Sequence, residues 1–111
     1  MSKLSENLRL IRIIRGYSVR QIAQMVGRSP GTISNWESGK ISPDVDTFAK
    51  LCTIYNISPN ELIGWVECEE IMEFLESQHK MLGEIERLKA ERNEIDNKIK
   101  SYIELLGPQN Y

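Results

Sequence analysis

Positions 28 to 40 read Arg-Ser-Pro-Gly-Thr-Ile-Ser-Asn-Trp-Glu-Ser-Gly-Lys. Ser29, Thr32, Ser34 and Asn35 are short side chains that both donate and accept hydrogen bonds. Helical spacing puts them, with Pro30 and Gly31, on the side away from the apolar Ile33 and Trp36. An asparagine amide matches the N6/N7 edge of adenine bidentately, and a threonine offers a methyl to thymine and a hydroxyl to a base edge or phosphate. Arg28 before the segment and Lys40 after it supply cations for phosphate contacts, and Arg20 offers another on the outer face of the preceding pattern. These residues point to reading a nucleic-acid groove, with Pro30, Gly31, Thr32, Ser34 and Asn35 toward bases and Arg20, Arg28, Ser29 and Lys40 toward phosphates. Exposed Ser, Thr and Asn on a helix are ordinarily just solvated, so the assignment depends on the elements that hold them.

Those elements are legible as start and stop signals. From Ser5 to Arg15, Leu8, Ile11 and Ile14 recur at helical spacing, and Gly16 ends the pattern. Ser18 caps a second helix whose inner face is Ile22, Ala23 and Val26, and Gly27 closes it. Ser29 caps a third helix with Pro30 in its first turn, where a missing N–H costs nothing, and Ser38-Gly39-Lys40 ends it. A loop through Pro43 leads to a fourth helix over about 44–55, with Phe48, Leu51, Cys52 and Tyr55 facing inward. Ser58-Pro59 repeats the cap-then-proline signature and opens a fifth helix carrying Leu62 and Ile63. No segment alternates as a half-buried strand would. The expected fold is all-α, with five helices around one small core.

Composition narrows the function classes. The 111 residues allow one compact domain and an extension. The net charge of −2 hides an asymmetry: residues 1–66 hold eight Lys/Arg against five acids, and residues 67–111 hold six against eleven. A basic module joined to an acidic one fits a DNA-facing part and a part with another task. A single histidine, His79, and two unpatterned cysteines, Cys52 and Cys68, leave no acid–base set, no metal cluster and no disulfide scaffold. An enzyme is not expected, and neither is a cofactor or metal. No apolar run reaches the ~18–20 residues of a membrane span, and the first ten residues lack a signal peptide's apolar stretch. The expected location is the cytoplasm.

After Trp65 the sequence turns to Glu, Lys, Ile and Leu. With heptad position a at Ile71, the a sites are Ile71, Gln78, Ile85, Arg92, Ile99 and Leu106, and the d sites are Phe74, Met81, Leu88, Ile95 and Tyr102. Nine of the eleven are apolar, so a helix of roughly 54 Å carries one long stripe. A domain of about 65 residues cannot cover a stripe of that length, which makes self-association the expected use. Ile71, Phe74, Met81, Ile85, Leu88, Ile95, Ile99, Tyr102 and Leu106 are the expected contacts. In a parallel pair Glu84 meets Lys89 of the other copy favourably and Glu91 meets Asp96 unfavourably, so orientation stays open. Leu75, Leu82 and Ile103 widen the apolar face and leave the oligomer number open too. Gly83 weakens the helix centre by about 1 kcal/mol relative to Ala, so a break near 77–83 is an alternative. The expected domains are residues 1–66 and 67–111.

Residues 5–65 resemble the helix-turn-helix domain of the phage repressor and Cro family, the XRE type. The likeness runs through Arg12, Ile22-Ala23, Gly27, Ile33-Ser34-Asn35-Trp36-Glu37, Gly39-Lys40, Pro43 and Ile57-Ser58-Pro59-Asn60-Glu61-Leu62. The resemblance implies a five-helix repressor-like domain and sequence-specific transcriptional regulation, most often repression, by dimers on double-stranded DNA. It also implies a partly buried ion pair between Arg12 and Glu37 that ties the first helix to the recognition helix. Two positions depart from the family. Val19 stands where many members carry a phosphate-anchoring glutamine, and Pro30-Gly31 replace long base-reading side chains. Direct readout is then thin, and operator shape carries more of the specificity. Two other readings remain: an antitoxin-like autoregulator whose last helix holds a partner protein, and a protein–protein adaptor built on the same scaffold.

Overall fold

The computed structural model describes residues 3–107. Among them there are six helices and no strand: α1 Lys3–Ile14, α2 Val19–Val26, α3 Pro30–Ser38, α4 Val45–Tyr55, α5 Pro59–Leu62 and α6 Glu69–Leu106. The chain divides into two units, Met1–Phe74 and Leu75–Tyr111.

In the first unit, side chain and backbone cooperate to stop each helix. The Ser18 and Ser58 hydroxyls accept from the N–H groups of Gln21 and Glu61, whose side chains accept in return from the Ser18 and Ser58 N–H groups. At the other ends one pattern recurs: the residue after the C-cap donates five residues back. Tyr17 N–H reaches Arg12 O at 3.1 Å, Arg28 N–H reaches Ala23 O at 2.9 Å, Lys40 N–H reaches Asn35 O at 3.0 Å and Ile57 N–H reaches Cys52 O at 3.1 Å. Gly27 and Gly39 take the left-handed conformation this closure needs, at φ 68° and 83°.

Short helices closed so tightly must bury their apolar stripes against one another. The core gathers Leu8, Leu10 and Ile11 from α1, Ile22, Ala23 and Val26 from α2, Ile33 and Trp36 from α3, and Leu51, Cys52 and Tyr55 from α4. Ile57, Leu62, Cys68 and Ile71 complete it, and Ile14 and Phe48 pack against it partly buried. Each fully buried Leu or Ile contributes about 1.5–3 kcal/mol relative to exposure. Burial pushes the Cys52 thiol pKa up, which keeps it neutral in this setting. Ile63, expected on the fifth helix with Leu62, is its C-cap and is exposed, because α5 lasts one turn.

Cross-links between helices fix the stack. The Asn7 amide donates to the carbonyls of Glu61 and Leu62, both at 3.2 Å, joining α1 to α5. Arg15 donates to the Tyr55 carbonyl at 2.7 Å and forms an ion pair with Glu70 in the first turn of α6. The first unit therefore extends past the expected boundary at residue 66, because Cys68 and Ile71 belong to its core.

In the second unit residues 75–106 belong to α6, which is unbroken from Glu69 to Leu106 with Gly83 in it. Arg87 forms ion pairs with Glu84 and Glu91, one turn away on either side. Every residue from 75 to 106 is exposed. No helix among the described residues is long and apolar enough to cross a membrane.

Candidate nucleic-acid interface

The segment from Ser18 to Lys40 is a helix, a tight turn and a second helix, each step set by a residue suited to it. Gly27 turns the chain, Ser29 caps α3 by accepting from Thr32 N–H at 3.2 Å, and Pro30 occupies the first turn of α3. Ile33 and Trp36 are buried, which fixes the rotation of α3 about its axis and turns Pro30, Gly31, Ser34 and Ser38 to solvent. Arg28 and Lys40 each directly follow a left-handed glycine and are held by the backbone bonds to Ala23 and Asn35. The two flanking cations thus have fixed main-chain positions.

A brace holds α3 to α1. Arg12 Nε donates to Glu37 Oε2 at 2.7 Å and its Nη2 to Oε1 at 2.9 Å, a bidentate fork, while Nη1 donates to the Tyr17 carbonyl at 2.9 Å. The two side chains are only 14% and 9% exposed, so little water competes for them. The hydrogen bonds to Glu37 raise the Arg12 pKa further, against a smaller opposing effect of burial. Both members are used up inside the scaffold, and neither is offered to a ligand.

The remaining site residues divide by what their side chains already hold. The Ser29 and Thr32 hydroxyls lie 2.9 Å apart and share one hydrogen bond, and Thr32 is half-buried. Asn35 is half-buried, and among the described residues no hydrogen bond engages its side-chain amide; its backbone carbonyl accepts from Ser38 and Lys40. Ser34, Arg20 and Lys40 are exposed. Arg28 is half-engaged: its guanidinium lies 3.5 Å from Asp44, the N-cap of α4. A hydrogen bond from Thr47, first of several effects, holds the Asp44 carboxyl below its usual pKa, so this acid stays charged beside Arg28.

Asp44, Asn7 and the Arg15–Glu70 pair were not anticipated from the sequence. Asp44 carried one signal, a Thr three residues on in a helix-opening position; the other two are long-range contacts with no local pattern. In α6, Ile71 is 4% exposed and packed in the first unit's own core, and Phe74 packs partly against that core. These two stripe residues are already occupied within the chain. Met81, Ile85, Leu88, Ile95, Ile99, Tyr102 and Leu106 remain exposed, at 46–72%.

The crystal structure of a transcriptional regulator from Listeria innocua resembles this chain with a TM-score of 0.54 and 25% identity, covering 96% of each chain. Bacillus thuringiensis PlcR, solved with the peptide PapR7 and DNA, aligns at a TM-score of 0.53 over 93% of this chain and 37% of its own; at 22% identity that likeness shows the fold alone. The HTH-type transcriptional regulator ImmR of Bacillus subtilis strain 168 is 33% identical over 61 residues, which are 55% of this chain and 48% of that protein. This chain therefore spans about half the length of that relative. Residues 5–64, more than half the chain, match the family described as a helix-turn-helix domain, and the chain belongs to that XRE-type helix-turn-helix family.

Proposed function

We propose that the chain is a sequence-specific DNA-binding repressor that acts as a dimer or higher oligomer joined through α6. The observation that carries the DNA reading is the outward face of α3: its inner face is locked by Ile33, Trp36 and the Arg12–Glu37 fork, and its outer face presents uncommitted short polar groups. In this reading the N-terminal half of α3 enters the major groove, with Asn35 and Ser34 toward base edges and the Thr32 methyl toward thymine. Gly31 allows close backbone approach. Arg28, Lys40 and Arg20 take phosphates, and the Ser29 hydroxyl is secondary because it caps α3.

Repression follows from occupancy: a protein seated across a promoter excludes polymerase, and family membership supports this mode. The oligomer reading rests on the exposed stripe from Met81 to Leu106, now starting after Phe74 rather than at Ile71. Two linked domains gain up to ~10²–10⁴ in avidity where their spacing fits the operator. The same stripe also suits a partner protein, the antitoxin-like or adaptor reading.

Selection of the full chain against a random-sequence duplex pool tests this. The expected product is a motif in two inverted copies about one helical turn apart, bound by a species that light scattering sizes above a monomer. Selection that enriches nothing overturns the DNA reading. A monomer at micromolar concentration overturns the oligomer.

A further inference from the structure

Arginines recur every third residue at positions 9, 12 and 15, the first two on α1 and the third just past its end. Two of them are committed to the scaffold: Arg12 to Glu37 and the Tyr17 carbonyl, Arg15 to Glu70 and the Tyr55 carbonyl. Arg9 is exposed, and among the described residues no hydrogen bond or ion pair engages it. It lines a shallow depression of about 400 Å³ with Val19, Ser34 and Ser38, over a floor that includes the Arg12–Glu37 pair.

The electrostatics of that depression are one-sided. Arg12 and Glu37 cancel each other, so the net charge is that of Arg9. Ser34 and Ser38 add two neutral hydroxyls one turn apart on α3. Val19 opens α2; Ser18 takes the Gln21 and Ile22 N–H groups, and the positive end of the helix dipole lies at this end. Everything at the rim that is not neutral attracts an anion. Ser34, assigned above to base edges, and Ser38 at the end of α3 both border the depression, so Arg9 lies beside the outward side of α3.

We propose that Arg9 binds a phosphodiester of the DNA strand bordering the groove that α3 enters, its guanidinium donating two hydrogen bonds to the non-bridging oxygens. This rests on the DNA reading above and adds an α1 contact to it. Arg9 thereby supplies, from α1, a phosphate anchor that the apolar Val19 at the start of α2 cannot.

The test is a salt titration of the full chain on two duplexes, one carrying the selected motif and one scrambled, with Arg9→Gln, Arg9→Lys and Lys40→Gln alongside. Arg9→Gln is expected to weaken both duplexes by the same factor, about fivefold near 0.15 M salt, and to reduce the slope of log affinity against log salt by about one. Arg9→Lys keeps the slope, because it keeps the charge. Thermal melting of Arg9→Gln matches the parent, because the side chain is exposed and unpaired. A slope unchanged by Arg9→Gln but lowered by Lys40→Gln overturns this proposal and leaves the DNA reading standing. A loss confined to the motif duplex overturns the phosphate assignment in favour of base contact. If the parent binds neither duplex, the DNA reading fails together with this one.

Discussion

Leu8, Ile22, Ile33, Leu51 and Leu62 in the first unit are completely buried. Met81, Ile85, Leu88, Ile95 and Ile99 in the second, similar in type and as regularly spaced, keep about half their surface in water. The difference lies in what surrounds each stripe. Helices of 4 to 12 residues joined by tight turns fold back within reach of one another, and the first turn and a half of α6 joins them. The rest of α6 has no chain turn to return a neighbour to it before Gly107. An apolar stripe thus marks a surface suited to burial but not what covers it; in the first unit the loops decide that. In the first unit the cover is the chain itself, and in the second we assign it to another copy.

The sharpest way to break this contrast is to remove the second unit. A chain ending at Phe74 should melt close to the full chain's first transition, scatter light as a monomer, and bind a two-copy operator ~10²–10⁴ more weakly. Undiminished operator affinity would deny the second unit its linking role. Next in size is the brace in the first unit. Glu37→Ala strands the Arg12 guanidinium, 14% exposed, beside a hydrophobic core, and should lower unfolding free energy by about 3 kcal/mol in denaturant titration. The unfolding slope should stay unchanged, and an effect below ~1 kcal/mol would mean that water reaches the pair freely.

Smaller changes sharpen the picture of the interface. Asp44 holds Arg28 at 3.5 Å and places a negative charge where phosphate is expected. Asp44→Asn should tighten DNA binding a few-fold and steepen its salt dependence by about one, measured by anisotropy. Weaker binding would show that the Asp44–Arg28 contact orients the arginine productively. Smallest is the acid response. Glu70 is held below its ordinary value of 4.5 by hydrogen bonding to Arg15, and Asp44 below 3.8, mainly by Thr47. The unfolded chain therefore binds more protons than the folded chain in acid. The stability these carboxylates contribute is complete above about pH 5 and is lost as pH falls through their depressed folded values. Glu70→Gln should flatten part of that loss, while a stability curve identical to the parent's would show the Arg15–Glu70 pair contributes nothing.

Much of the first unit was legible because its signals are local. Ser18, Ser29 and Ser58 before helical patterns, Pro30 and Pro59 inside first turns, and Gly27 and Gly39 after last turns each act within five residues, which is the range a sequence window displays. Leu10, Asn7 and Cys68 were missed for the opposite reason. Leu10 lies beside a stripe already assigned to Leu8 and Ile11, Asn7 finds its acceptors 54 and 55 residues away, and Cys68 is buried only because α6 starts where it does. The heptad reading of α6 placed Ile71 and Phe74 in the oligomer stripe, since a periodic pattern carries no mark of where one partner ends and the next begins. On α3 the exposure of Pro30, Gly31 and Ser34 followed from the burial of Ile33 and Trp36, whereas Thr32 and Asn35, expected on the same exposed side, are half-buried. The Ser29–Thr32 hydroxyl pair and the Asp44 counter-charge did not follow from that pattern, being matters of rotamer and loop path.

The account depends most on Asn35 as a base reader, and one binding series addresses it. On the motif recovered from the random pool, Asn35→Ala should lose ~1–3 kcal/mol of discrimination at a single A·T position in each half, with affinity for scrambled DNA unchanged. Equal losses on every duplex, or none on any, would contradict the assignment of α3's outer face to the major groove.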